Sequence, residues 1–217
     1  MGKIIFCFLF LVFSCVLNAQ DTSYIKIHFK YGSKPAKGFK KTESKYFGGL
    51  HGGHVTVEIG DSIYGFSPAG GGSRVFAKKS HSNGDFHLES EYLYTNDSTG
   101  NKLTSITIPI TNQELHELRI HVKNYLNKTP YDYAFFGMRC AASAHEMLSA
   151  AGIFKKRTKL FSVFYNFYPK KLRKRILDKG FEENYEIIHQ EGRKERKWEK
   201  DKQRHRKKLR TNPDFEL

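Results

Sequence analysis

Cys140 has the clearest capacity for chemistry in this chain, because the other two cysteines lie within the first fifteen residues. A thiol attacks a carbonyl carbon usefully only as thiolate, so a nucleophilic cysteine needs surroundings that lower its pKa. A helix is predicted to begin at Cys140, so free backbone N–H groups and the positive helix end would face the sulfur, with Arg139 beside it. The same N–H groups could hold the oxyanion of an attacked carbonyl. The competing interpretation is a buried small hydrophobic residue.

A histidine from elsewhere in the chain must act as the base. His145 follows the cysteine by five residues, which turns its side chain roughly 140° away around the helix. His54 begins a predicted strand after a run of glycines, and His51 lies within that run. We favour His54, because catalytic groups are best held on rigid elements, and His51 is its competitor. The alternative for His54 is a hydrogen-bonded histidine of the core.

Alternating apolar and polar residues predict the strands that must position these groups. Such alternation is typical of a strand with one buried face. The predicted strands are residues 25–31, 54–59, 63–66, 86–93 and 106–110. Gly60 and Asp61 have the chemistry of a hairpin turn, and Pro109 indicates an edge or terminal position in its strand.

Three helices complete the predicted fold. Thr111 and Glu114 have the spacing of a capping box, which opens a helix. The helix at Cys140 is rich in small residues, suits close packing against a sheet, and ends before Gly152. Pro169 favours the first turn of a third, basic helix. The sequence therefore predicts an α+β fold, in which a small antiparallel sheet or half-barrel packs against the helix that carries the cysteine.

A third polar residue would orient the imidazole. If Gly60 and Asp61 form a two-residue turn, His54 pairs across the hairpin with Ser67, whose hydroxyl could hold the ring. Glu58 lies about 13 Å further along the strand at about 3.3 Å per residue, so we interpret it as decoration of the sheet surface. A simple Cys-His dyad is equally open.

Two segments of the sequence resemble a known group of enzymes. Residues 54–67, HVTVEIGDSIYGFS, are similar to the histidine strand and hairpin of circularly permuted papain-like cysteine hydrolases. This group includes the PPPDE peptidases, permuted NlpC-like enzymes and lecithin:retinol acyltransferase-like enzymes. Residues 131–148, YDYAFFGMRCAASAHEML, resemble their cysteine helix. The resemblance implies a permuted papain-like fold in which the histidine precedes the cysteine.

The chain departs from this group at two positions. Arg139 stands where the group usually has Asn, which changes the expected oxyanion site. Relatives with a second histidine align it at Phe66. Tyr131 and Tyr133 could line the site or donate to an oxyanion, and packing beneath the cysteine helix is the alternative that we favour for both.

Both ends of the chain are interpreted separately from the predicted domain, residues 20–190. Residues 1–19 have the charged start, apolar run and small residue of a secretory signal, so we predict a periplasmic or extracellular protein. Acylation at Cys15, as in an envelope lipoprotein, is the alternative. Of the net charge of +15, much lies in a tail at residues 191–217, where eleven Lys or Arg and three acidic residues fall between Arg193 and Arg210. The tail is either a solvated end or a contact for an anionic membrane or polymer, and no specific nucleic acid is expected.

The predicted function is cleavage of an amide bond, in a peptide or cell-wall peptide, through a Cys-His dyad. Two rivals remain: a lipid ester hydrolase or acyltransferase on the same scaffold, and a non-catalytic module that binds an anionic envelope partner. No cofactor is expected, and no metal either, because His51 and His54 lack a third ligand nearby.

Overall fold

The computed structural model describes residues 22–32, 53–70, 72, 74–78, 83–91 and 102–190. The predicted signal peptide, the basic tail, Cys15 and His51 lie outside these described residues. The described chain forms an α+β structure with two sheets and four helices, which confirms the α+β part of the predicted fold.

Six strands form the main sheet, and every neighbouring pair in it is antiparallel. The strand order is β5-β3-β2-β1-β6-β8. Two further strands, β4 and β7, form a small parallel ribbon. The strands are β1 Thr22–Tyr31, β2 Gly53–Ile59, β3 Ser62–Pro68, β4 Arg74–Phe76, β5 Gly84–Glu89, β6 Leu103–Thr111, β7 Ala134–Phe136 and β8 Glu186–Gln190.

Four helices follow the strand-rich first half of the chain: α1 Asn112–Asn127, α2 Cys140–Ala150, α3 Lys159–Tyr165 and α4 Pro169–Glu182. The capping box at Thr111 and Glu114 is present, and Pro169 occupies the first turn of α4, as predicted. None of the helices in the described ranges is long and apolar enough to cross a membrane.

The core lies between one face of the sheet and helix α2. Isoleucine and valine side chains of β1, β2 and β6 belong to one buried cluster with the small residues of α2. Alanines on α2 bring its backbone close to the sheet, and α2 contacts β2, β3 and each of the other three helices. The helix that carries Cys140 is thus the central helix of the structure.

Several elements differ from the sequence-based expectation. Strands β4, β7 and β8 and the short helix α3 carry weak periodicity and were not predicted. The strand predicted at residues 86–93 is β5, which is displaced toward the N-terminus. Pro109 belongs to an interior strand, but it lies beyond Thr107, where pairing with β8 ends, so it occupies the predicted terminal position.

Candidate active site

Cys140 is the first residue of α2 and lies beside the N-terminal end of β2. Arg139 is the N-cap and has extended backbone, and its own side chain accepts no hydrogen bond from the helix. The thiol lies 3.9 Å from the carbonyl oxygen of Gly53, and the Val55 N–H donates a hydrogen bond to the sulfur. Cys140 is only 4% exposed. The sulfur is therefore held by backbone groups of the histidine strand.

The position of the sulfur follows from the way in which β2 and β3 separate. Ile59 and Ser62 close the hairpin, and the registered pairs end at Thr56 and Gly65. Odd-numbered residues of β2 direct their backbone groups toward β3, because alternate residues of a strand bond to opposite neighbours. The N–H of Val55 thus points into the gap beyond the last pair, and the thiol occupies that gap.

His54 contacts both the thiol and a carboxylate. Its ring forms a hydrogen bond with Cys140, and its Nε2 bonds Oε1 of Glu89. Burial lowers the pKa of His54, but the bonds to Cys140 and Glu89 outweigh burial and raise this pKa from 6.5 to about 9. Burial alone raises the pKa of the Cys140 thiol, whereas the bond to His54 and its charge lower it below its ordinary value. The two shifts favour a thiolate and an imidazolium.

Glu89 reaches His54 from two strands away by crossing a glycine. It lies at the end of β5, and β3 separates that strand from β2. A Cβ atom at Gly65 would lie 2.0 Å from Oε1 of Glu89, so only glycine leaves room for this carboxylate. Buried Lys30 and half-buried His87 also face Glu89, with His87 Nε2 at 3.9 Å from Oε1. The carboxylate therefore lies among three basic groups.

Ser67 does not occupy the orienting position that the hairpin suggested. The predicted two-residue turn and its register are present, but the ladder ends before residues 54 and 67. Ser67 pairs instead with Asp85 of β5, and Nε2 of His54 bonds Glu89. The physical reason is the separation of β2 from β3, since the thiol fills the gap that cross-strand pairing would close.

The two tyrosines before the cysteine have different surroundings. Tyr133 forms a hydrogen bond with the Cys140 side chain and also receives one from the Cys140 backbone N–H. Burial and the adjacent thiolate raise the pKa of Tyr133 far above its ordinary value, so its hydroxyl keeps its proton. Tyr131 is buried, bonds Ser143 through its hydroxyl at 2.8 Å, and packs edge-on against Phe66, as expected for a packing residue.

Arg139 stacks on aromatic rings rather than pointing at the thiol. Its guanidinium lies 3.6 Å from the ring centre of Phe167 and 5.3 Å from those of Phe135 and Tyr168. Its charge still helps to lower the pKa of Cys140. Arg139 is thus an electrostatic neighbour of the thiol.

The other residues that the sequence singled out lie away from the thiol. Phe66 is buried in the core and packs on Tyr131, so the second histidine of the resembled group has no counterpart there. Glu58 bonds His28 and Lys26 on the sheet surface. His145 stacks on Phe154 and is buried, as the helix geometry predicted.

Asp132 is a buried residue that the sequence analysis missed. Its carboxylate accepts hydrogen bonds from the backbone N–H groups of Lys78 and Asn83 and from Arg74 at 2.8, 2.6 and 3.3 Å. Burial acts to raise the pKa of Asp132, but these donors lower it. Because Asp132 adjoins Tyr133, it fixes the segment that carries the hydroxyl beside the thiol.

Within the described ranges, no three His, Cys, Asp or Glu side chains cluster as the ligands of a metal ion would. Comparison of the chain with protein-family models, with curated proteins and with solved structures finds no match.

Proposed function

We propose that the protein is a cysteine hydrolase that cleaves an amide bond, with Cys140 as nucleophile, His54 as acid–base and Glu89 as the residue that orients His54. One observation carries this proposal: a thiol at a helix N-terminus is hydrogen-bonded to an imidazole that is itself hydrogen-bonded to a buried carboxylate. This is the relation of nucleophile, base and orienting group that covalent catalysis requires. Glu89 replaces Ser67 in our assignment.

The chemical steps follow from the protonation states. The thiolate of Cys140 attacks the carbonyl carbon, and its electron pair forms the C–S bond while the carbonyl oxygen becomes an oxyanion. His54, as imidazolium, then gives its proton to the amide nitrogen as the C–N bond breaks. Neutral His54 next takes a proton from water, whose oxygen attacks the thioester. The carboxylic acid leaves, and the thiolate is restored.

Tyr133 is suited to hold the oxyanion. Its hydroxyl lies at both the sulfur and the backbone N–H of Cys140, the region in which the carbonyl oxygen develops charge. The backbone N–H of Cys140 supplies a second donor once the substrate oxygen replaces the Tyr133 hydroxyl as its acceptor. The Tyr133 hydroxyl and the Cys140 N–H would thus take the oxyanion-binding role that the resemblance assigns to an Asn at the position of Arg139.

The resemblance to permuted papain-like enzymes supports the proposal through the order of the elements along the chain. The histidine strand precedes the cysteine helix, and α2 packs on the strands that carry the histidine and its neighbours. We further propose, from the predicted signal peptide, that the protein acts outside the cytoplasm on peptide or cell-wall peptide bonds.

Alkylation of Cys140 by iodoacetamide tests the proposal. In the wild type, we expect labelling to remain fast below pH 7, because the thiolate persists where a free cysteine is protonated. His54→Ala should slow labelling at pH 6 by about tenfold or more. The matched control is His116→Ala on the exposed surface of α1, which should label as the wild type does.

Two outcomes would contradict the proposal. The first is a wild-type labelling profile that follows a thiol of ordinary pKa, or labelling only after denaturation. The second is an unchanged rate in folded His54→Ala. Intact-protein mass after incubation with cell-wall peptides should also show an acyl adduct on Cys140 and none on Cys140→Ser after brief incubation.

A further inference from the structure

Helix α3 directs apolar side chains outward. Leu160 is 69% exposed and Phe164 is 56% exposed, whereas Ser162 and Val163 are the buried residues of this helix. A surface helix of a globular protein normally directs its large apolar side chains toward the core. The described part of the fold therefore leaves the outward face of α3 uncovered.

The apolar surface continues from α3 onto the β4–β7 ribbon. Phe76 is 68% exposed and stacks on the half-exposed ring of Phe136 at 5.6 Å. A cavity of about 400 Å³ lies between the ribbon and α3, and Phe136, Leu160 and Phe164 are among its lining residues. Scattered exposed apolar residues are ordinary, but a contiguous patch beside an apolar cavity marks an interaction surface.

Basic residues lie on and beside this patch, and Lys78 and Lys159 line its apolar cavity. Residues 147–177 contain nine Lys or Arg and no Asp or Glu, and Arg173 alone among the nine is fully buried. Arg157 lies over the ring of Phe161 at 4.7 Å, so its charge stands directly beside an apolar side chain of α3. Interleaved cations and aromatic rings are the composition of a surface that rests in a membrane interface.

A second cavity, of about 160 Å³, adjoins α3 and is cationic. Its charged lining residues are Lys155, Arg157, Arg175 and Lys179, and Tyr165 of α3 also lines it. Lys179 has a carboxylate partner, Glu183, at 3.5 Å. Burial, followed by Arg175 and Arg157, lowers the pKa of the His145 imidazole in this cavity to about 4. The cavity thus offers several donors and a positive potential to an anion.

We propose that this surface, made of α3, the β4–β7 ribbon and the two cavities and here called the α3 surface, docks on an anionic phospholipid bilayer. A lipid phosphate binds in the cationic cavity, while the exposed side chains of α3 and the ribbon enter the acyl-chain region. A second copy of the chain fits poorly, because it would oppose like charges at close range. An acidic bilayer offers acyl chains to the apolar patch and anionic headgroups to the cations beside it.

Docking goes beyond the proposed hydrolase activity and does not depend on it. The ring of Phe167 connects the α3 surface with the candidate active site, since it packs against Phe136 of the ribbon and also lies under the guanidinium of Arg139. A bound membrane would therefore lie beside the residue that precedes Cys140. Vesicle binding is measured with Cys140→Ser as well as with the wild type, so failure of either idea leaves the other testable.

Co-sedimentation of the full chain with vesicles tests the docking. The probes are vesicles of phosphatidylglycerol and phosphatidylcholine in equal parts, and vesicles of phosphatidylcholine alone. We expect binding to the anionic vesicles only, and at least a tenfold loss of partitioning in Leu160→Glu/Phe164→Glu. The control, Ile188→Glu/Leu88→Glu, changes two apolar residues on β8 and β5 that are also more than half exposed, and it should bind as the wild type does.

A fluorescence reporter separates insertion from attraction by the basic tail. In a Trp198→Phe background, Phe164→Trp should be quenched by brominated acyl chains, and Ile188→Trp should not. The proposal is overturned if the folded α3 double variant binds as tightly as the control, if Phe164→Trp is not quenched, or if deletion of residues 193–210 alone abolishes quenching. Concentration-dependent dimerisation that the α3 variant abolishes, with no vesicle binding, would equally overturn it.

Discussion

Two tyrosine hydroxyls two residues apart in the sequence have different partners, so the proposed mechanism gives them different roles. Tyr133 bonds the thiol and its backbone N–H, whereas Tyr131 bonds Ser143. We expect Tyr133→Phe to slow acylation of Cys140 by p-nitrophenyl acetate by about 10²-fold, the effect of losing one oxyanion donor. Release of nitrophenolate in a single turnover measures this rate.

Alkylation supplies the internal control for Tyr133, because attack on iodoacetamide forms no oxyanion. The alkylation rate of Tyr133→Phe should therefore stay within a few-fold of the wild type. Tyr131→Phe should leave both rates nearly unchanged and should lower stability by about 1 kcal/mol through its lost hydrogen bond. Equal slowing of acylation and alkylation in Tyr133→Phe would assign Tyr133 to the thiol pKa instead.

At the scale of the element, β3 contributes to the candidate site through the space that a glycine leaves, and not through a side chain. Gly65 lies under the Glu89 carboxylate, and an added methyl group would meet Oε1 at 2.0 Å. Gly65→Ala should therefore displace Glu89 from His54 and slow acylation about tenfold or more, with a folded circular dichroism spectrum. Gly72→Ala, which places its Cβ in open space, is the matched control.

Glu89→Gln gives the reference for the glycine variant. If Gly65 acts through Glu89, the double variant should be no slower than the slower of the two single variants. Both single variants should also bring the alkaline fall of the acylation rate below about pH 9, since the Glu89 carboxylate helps to raise the pKa of His54. Additive losses would show that Gly65 serves the fold independently of the carboxylate.

The elements that the sequence predicted are those encoded locally. The alternation of apolar and polar residues identified β1, β2 and β6. The start of α1 was identified by Thr111 and Glu114, which contact each other although only three positions apart in the sequence. Cys140 and His54 were identified for the same reason, since a helix start and a strand start are local features. Their meeting depended on long-range packing, which the resemblance supplied and the residues alone did not.

Glu89 could not be identified in the same way, because its role depends on strand order. The hairpin turn fixed the register of β2 with β3, and on that basis Ser67 was the nearest partner of His54. The turn carries no information about where a strand separates from its neighbour or which strand lies beyond it. The available signal was a glycine in β3 together with alternating polar residues in β5, and it becomes specific only when the two strands are known to be adjacent.

At the scale of the whole molecule, the sheet buries charge on the face opposite its apolar core, which makes stability depend on pH. The raised pKa of His54 stabilises the folded state fully below pH 6.5, and this contribution is lost as pH rises through about 9. Lys30 has the opposite effect on the pH dependence of stability. Burial lowers its pKa from 10.5 to about 8, although Glu89 opposes that effect, so the charged form destabilises the fold at neutral pH.

Lys30→Met isolates the lysine contribution to global stability. Between pH 8 and 10.5, the unfolded wild type holds a proton on Lys30 that the folded protein has released, so wild-type stability should rise relative to the variant by about 1–3 kcal/mol. Urea unfolding of both proteins across this range measures the difference. The control is Lys26→Met on the same face of β1, where the side chain is 44% exposed beside Glu58, and its difference from the wild type should change less. A constant difference between the wild type and Lys30→Met would mean that folded Lys30 stays protonated throughout this range, and that the buried face keeps a lysine cation beside Glu89.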